Sequence, residues 1–399
     1  MNKPQNPAYM NKTVLSLVVF GLIGAVSLQA QELIPYRKGD KWGFCTPDKK
    51  VVLQPKYDQT WFFHEGLAIV KLNGKHGFID QTGREVVPPK YDWVVYFSEG
   101  LARVELNGRW GLIDKTGREV VPPKYDAAES FREGLMAVKR KGKWGFIDKT
   151  GREVTPLKYD MVWYFSEGLL RVERNGKYGF IDKTGREVIP LKYDGAWEFR
   201  EGLARVKLNG KYGFIDKTGR EVIPLKYDGA WEFREGLARV ELNGKYGFID
   251  KTGREVIPLK YDGAGEFREG LAWVERNGKY GFIDKTGREV VPPRYDEADS
   301  FCEGLAPVSR NGKWGFIDRT GREVIPLKYD GAMEFREGLA WVELNGKYGF
   351  IDKTGREVIP PKYDKVIPLT EGRAWVMQNE KEFYIQFFPN GKFVEYYDE

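Results

Sequence analysis

Residues able to do covalent or metal chemistry are few in this 399-residue chain, which has two histidines and two cysteines. A zinc site needs three or four nitrogen or sulfur ligands converging on one point. His64, His76, Cys45 and Cys302 lie far apart, so no metal, no cofactor and no structural disulfide is expected. His76 takes the place of an aromatic residue and reads as a packing group. His64 takes a place usually held by arginine and reads as solvated. Carboxylates such as Asp216 and Glu221 abound, but each resembles its counterparts elsewhere in the chain. A glycosidase dyad needs two carboxylates in different surroundings. The phrase "DKTGRE" has some acidic-loop character, yet Lys and Arg interrupt it and the acids are wrongly spaced for calcium. No catalytic residue is expected, and the chain is read as a non-enzyme. What remains is recognition by flat aromatic side chains, which anchor protein interfaces and stack on sugars. Trp61, Trp163, Trp197, Trp231, Trp273, Trp341 and Trp375 are the candidates.

The elements that must carry these tryptophans repeat. "NGKYGFIDKTGREVIP" runs from Asn209 to Pro224 and recurs unchanged from Asn243 to Pro258. An aromatic-Gly step returns at Gly43, Gly77, Gly111, Gly145, Gly179, Gly213, Gly247, Gly281, Gly315 and Gly349, always 34 residues apart. Counted from the leucine of "EGLARV", ten full copies begin at residues 33, 67, 101, 135, 169, 203, 237, 271, 305 and 339, and a degenerate copy covers 373–399. A helical hairpin repeat of the same length is ruled out. In the copy Leu203–Gly236 the longest run free of Gly and Pro is seven residues, too short for helices of about ten.

A β reading fits each step. "LARVKL" meets Asn209-Gly210, a two-residue hairpin signal, and "KYGFID" returns. "KTG" suits a three-residue loop with its glycine left-handed, and "REVIPL" makes a third strand whose Pro224 belongs at an edge. A short fourth strand in "KYDGAWEF" completes a meander of three or four strands. The register places Leu208, Val206 and Ala204 opposite Lys211, Gly213 and Ile215. It places Leu203, Arg205 and Lys207 opposite Asp216, Phe214 and Tyr212, with Val222 across from Phe214. The bare Gly213 is expected to admit a neighbouring layer. Both faces are partly apolar, so meanders should stack face to face. The expected architecture is all-β, an open β-solenoid of 34-residue meanders; the alternative is a closed propeller-like ring.

Two positions vary between copies. One holds Pro35, Ile69, Arg103, Ala137, Arg171, Arg205, Arg239, Trp273, Pro307, Trp341 and Trp375; the other holds Trp61, Val95, Glu129, Trp163, Trp197, Trp231, Gly265, Asp299, Met333 and Ile367. Core positions tolerate such volume changes poorly, so both are expected at the surface. The competing expectation is that these tryptophans cover seams between copies and bind nothing.

"KWGFCTPDKKVV", "RWGLIDKTGREVV" and "KWGFIDRTGREVI" resemble the WG-repeat, or KWG-repeat, family of bacterial proteins over roughly residues 33–399. Trp42, Trp110, Trp144 and Trp314 carry the Trp-Gly pair, and tyrosine replaces that Trp in most other copies. The resemblance implies a β-rich repeat protein, often exported, and transfers no catalytic residue.

The first thirty residues differ in kind. Lys12, the apolar run Val14 to Leu28 and the small Ala30 read as a signal peptide over 1–30, with the array in 31–399. The expected location is therefore periplasmic, cell-surface or secreted, with no stable membrane span once the signal is removed. The net charge of +6 comes from 64 basic and 58 acidic residues, intermixed with the same period, and no nucleic-acid partner is expected. The expected function is an exported scaffold presenting a β surface to a protein or a cell-surface glycan. The alternatives are a carbohydrate-active hydrolase and a structural stalk.

Overall fold

The computed structural model describes residues 33–368, 372–388 and 393–396; the expected signal peptide over 1–30 lies outside them. These residues form eleven antiparallel sheets in chain order, and no helix is present among them. They belong to two compact units that divide between Pro123 and Lys124. The first sheet has three strands and each of the others four. Every ladder stops at its own outer strands, so no sheet closes into a barrel. Within each unit the sheets form an open stack of 34-residue meanders.

The sixth sheet shows how the residues dictate the build. Its strands are Gly195–Ala196, Leu203–Leu208, Lys211–Asp216 and Glu221–Tyr227, paired in that order. Asn209 and Gly210 both take positive φ (+51° and +80°), as a tight hairpin turn requires. The register follows: Ala204 faces Ile215, Val206 faces Gly213 and Leu208 faces Lys211. The fourth strand, however, is the first strand of the next sheet and not the last of its own. Gly195–Ala196 pairs with Lys207 and Val206 of the following copy, so each sheet straddles the boundary between two copies.

The third strand also departs from expectation. Phe214 pairs with Ile223, not Val222, because the ladder is bulged between Tyr212 and Phe214 and again before Ile215. At that bulge the third strand's backbone crosses Gly213 closely. A Cβ there would lie 2.5 Å from the Ile223 carbonyl oxygen and 2.8 Å from the Pro224 carbonyl carbon. The bare glycine thus makes room within its own sheet and not for a neighbouring layer. Pro224, which has no N–H to give a ladder, sits at this bulge on the outermost strand.

Stacking supplies the core. Between the sixth and seventh sheets, Leu203, Phe214, Ile223 and Tyr227 of one face pack on Ala238, Val240 and Ile249 of the next. Burying each such aliphatic or aromatic side chain contributes about 1.5–3 kcal/mol, and most of the stability lies in these seams. A polar clamp rims the seam between the seventh and eighth sheets. Glu235 takes φ +51°, unusual for a residue with a Cβ, in the turn of the seventh sheet. Its carboxylate accepts the Gly270 N–H at 3.1 Å and meets Lys285 Nζ at 2.9 Å, both in the eighth sheet. The strained turn therefore carries the side chain that ties two sheets together.

The described residues of the degenerate last copy form a sheet like the others. Lys365–Pro368, Arg373–Gln378, Lys381–Phe387 and Phe393–Tyr396 form a four-stranded sheet. Apolar residues at the seam positions, such as Val376, Phe383 and Ile385, suffice to bury one face. Cys45 and Cys302 are both free thiols.

Candidate binding site

The two variable positions face each other. The backbone N–H of Trp197 donates to the Arg205 carbonyl, and Trp231 and Gly265 bond Arg239 and Trp273 in the same way. Their side chains share one space at the edge of each seam. Arg205 lies 3.8 Å over the Trp197 ring and donates from Nη1 to the Ala230 carbonyl of the next sheet at 2.5 Å. Arg171 treats Trp163 alike, with 3.9 Å to the ring and a 2.6 Å bond to Ala196 O. Burial lowers the pKa values of Arg171 and Arg205 from the ordinary guanidinium value. In the eighth sheet the sizes are exchanged. Trp273 lies across Gly265, where a Cβ would come within 2.7 Å of the indole Cε2. In the tenth, Trp341 sits beside Met333 and points its N–H at the sulfur, 3.2 Å away.

This corrects the expectation of a surface place for the first position, where no residue is exposed, whereas the second is exposed at Glu129, Asp299, Met333 and Ile367. Trp61, Trp163, Trp197, Trp231, Trp273, Trp341 and Trp375 are all half-buried. Ile69, Ala137 and Pro307 are buried outright. At Gly265 and Trp273 a loss of volume at one position is compensated by its cross-strand partner, a dependence that neither column shows alone. Trp61 packs against His76 in the first unit, their ring centres 5.8 Å apart. Trp375 stands across from Ile367 in the last sheet.

The seam between the fourth and fifth sheets is left unfilled. In the fourth sheet the pair is Glu129 and Ala137, neither of which replaces an indole and a guanidinium. The result is a pocket of about 200 Å3 between the fourth and fifth sheets, both in the second unit. Leu135, Trp144 and Phe146 line it from the fourth sheet, and Val162, Trp163 and Leu170 from the fifth. Glu129, Ser130, Arg132, Ala137, Tyr164 and Phe165 complete the lining, with the Arg132 guanidinium 3.9 Å over the Tyr164 ring. Of the seven tryptophans singled out in the sequence, only Trp163 lines this pocket.

Sequence reasoning missed the positions that expose large apolar side chains. The residue after each "YD" is Gly in several copies but Trp93 and Met161 in two, each 50% exposed. Phe62, Tyr96 and Tyr164 are exposed where later copies carry Glu198, Glu232 and Glu266. Tabulating these two columns beside the other two would have found them. In the first unit Trp93 meets His76 edge-on at 5.2 Å. His76 is buried, holds the Asp92 carbonyl at 2.9 Å through Nδ1, and has its pKa pulled down by burial.

The repeated charges are spent within the array. Lys211 meets Asp228 at 2.5 Å, Lys217 meets Glu167 at 2.9 Å, and Arg220 meets Asp216 at 3.1 Å. Asp216 Oδ1 accepts the Thr218 N–H, the Thr218 hydroxyl and the Arg220 N–H, closing the three-residue loop. The Thr218 hydroxyl and these partners bring its carboxyl down to about 2. A depressed carboxyl stabilises the fold above the unfolded value of about 3.9 and loses that contribution as pH falls toward the folded value. Asp114, Asp148, Asp182, Asp250 and Asp284 also fall to about 2. The melting temperature should therefore drop steeply between about pH 4 and pH 2, followed by circular dichroism. Asp216→Asn with Asp250→Asn should shallow that slope. An unchanged slope would refute the loop's role.

The recurring aromatic-Gly step, Gly-rich turns and 34-residue meander match the family described as "WG containing repeat" in ten consecutive segments, from residues 42–75 through 348–381. The chain belongs to the WG-containing-repeat family. No curated protein matches it. Solved structures with some likeness include a eukaryotic initiation factor, at 14% identity over 75% of this chain and 98% of that one, TM-score 0.37. A streptogramin B lyase is 18% identical over 52% of this chain and 83% of its own, TM-score 0.28. The extracellular domain of the putative one component system BT4673 from B. thetaiotaomicron is 9% identical over 92% of this chain and 66% of its own, TM-score 0.22. With TM-scores this low, they bear on neither shape nor activity. The WG-repeat array is thus a β-rich repeat scaffold, and among its described residues no helix is long and apolar enough to cross a membrane.

Proposed function

We propose that this WG-repeat chain is an exported, non-enzymatic scaffold that binds a protein or a cell-surface glycan. The observation that carries this reading is the unfilled seam. Ten copies of one frame close the shared space with complementary side chains in most sheets, yet Glu129 and Ala137 leave an aromatic-lined pocket. A stalk selected only for length and stiffness gains nothing from such a gap, which forfeits packing. Against an enzymatic role stands the engagement of the recurring carboxylates, such as Asp216 and Asp228, in turns and ion pairs. Export rests on the apolar run Val14 to Leu28 after Lys12.

The test is binding of the full chain to a glycan array and to a cell-envelope fraction of the producing organism. Retention on either supports a binding scaffold. Retention on neither leaves a structural stalk. Secretion is read separately, from whether the protein recovered outside the cytoplasm has lost residues 1–30.

A further inference from the structure

We propose that the pocket between the fourth and fifth sheets is a binding site for a single pyranose ring of a saccharide. The proposal rests on the scaffold reading above and narrows it to one site and one ligand class. Size comes first: a cavity of about 150 Å3 takes a benzene ring, so about 200 Å3 has room for one substituted six-membered ring.

The walls and rim set the chemistry. Trp144 and Trp163, with Leu135, Phe146 and Leu170, give the pocket an apolar lining suited to a ring face that presents only C–H groups. The rim is polar and of both signs. Glu129 is exposed and forms no ion pair among the described residues, so its carboxylate is free to accept hydroxyl hydrogens. The exposed Arg132 guanidinium stands 3.9 Å over the Tyr164 ring at the rim and has N–H groups to donate. A third group appears by comparison with the next seams. There Ala196 O and Ala230 O each accept from an arginine of the preceding sheet, Arg171 and Arg205. The corresponding carbonyl in this seam is Val162 O, and Ala137 stands where the arginine would be. The ligand must therefore donate to a carboxylate and a carbonyl, accept from a guanidinium, and present one apolar face. Neighbouring hydroxyls on a pyranose do all of this, since each both donates and accepts. A plain aromatic ring fills the same volume but answers none of the three polar groups.

The experiment follows the indole N–H resonances of Trp163 and Trp144 in the full chain during titration with glucose, N-acetylglucosamine and p-cresol. The expected result is a saturable shift of both signals with at least one of the sugars. Glu129→Gln should weaken that binding about tenfold, the loss of a hydrogen bond to a charged group. The decisive variant is Glu129→Trp with Ala137→Arg, which recreates the Trp197 and Arg205 pair and fills the pocket. It should abolish the shift at Trp144 while keeping or raising the melting temperature, so loss of binding is not loss of fold. A response to p-cresol alone would make this an aromatic side-chain pocket and overturn the proposal. So would no response to any probe, or sugar binding that survives in the filled variant. If the filled variant still binds the glycan array, the pocket assignment falls and the scaffold reading stands.

Discussion

Gly265→Trp lowers the melting temperature of the chain, and adding Trp273→Arg brings most of it back. The space beside Gly265 is already occupied by the Trp273 indole, so a second indole has nowhere to go. Forcing extra volume into a packed site costs about 1–3 kcal/mol, and here the insertion is a whole side chain, at the upper end of that range or beyond. Trp273→Arg alone should also destabilise, because it withdraws the ring that covers Gly265. Together the two changes rebuild the arrangement at Trp231 and Arg239, where the guanidinium lies 3.8 Å over the indole. The carbonyl of Ala298, one sheet on, stands where Ala264 O accepts from Arg239. The double-mutant cycle should yield a favourable coupling of about 2 kcal/mol or more, within the range for residues that share one space. Urea unfolding of the four proteins measures it. Additive effects would mean that the two columns are independent and that the exchange of sizes between copies is coincidence.

The second large effect is expected at the glycine of the repeat's aromatic-Gly step. Gly213→Ala should destabilise the chain by about 3 kcal/mol or more, because its methyl meets main-chain atoms of Ile223 and Pro224 that no rotamer change can move. Relief requires unmaking the bulge, which would shift the third strand by a residue and turn Ile223 out of the seam. Gly210→Ala is the control. Gly210 has φ +80° but open space around it, so that substitution should cost only the strain of the left-handed conformation, about 1–2 kcal/mol. Hydrogen exchange should localise the Gly213 damage to the sixth sheet and the seams on either side, since each sheet contacts its neighbours. If Gly210→Ala proves the more damaging, the close approach at the bulge is not what keeps glycine at this step.

How much of this was legible beforehand depends on the range of the interaction. The first hairpin's register was readable from Asn209-Gly210, because two adjacent residues with positive φ fix the pairing of both strands. Stacking was readable from apolar residues on both faces of one meander. The pairing of Phe214 with Ile223 was not, since a bulge depends on how one strand's backbone meets another. The fourth strand was placed in the wrong sheet for a related reason: the sequence period is 34 wherever counting begins, and only hydrogen bonding shows that Gly195–Ala196 joins the following copy.

The site followed the same division. The two variable columns are visible in the sequence, but the half-buried place of the tryptophans is not, because it depends on the side chain across the strand pair. Trp197 and Arg205 are eight residues apart in the chain and share one cavity edge across a pair of strands. The sequence by itself determined a β meander repeated ten times, its turns, and which columns vary, because turn geometry and alternation of side chains are local. The tertiary structure alone decided that the varying side chains fill one shared volume between sheets, and that at Glu129 and Ala137 the volume is left open. Shared volume is a property of two chain segments brought together and is written in neither.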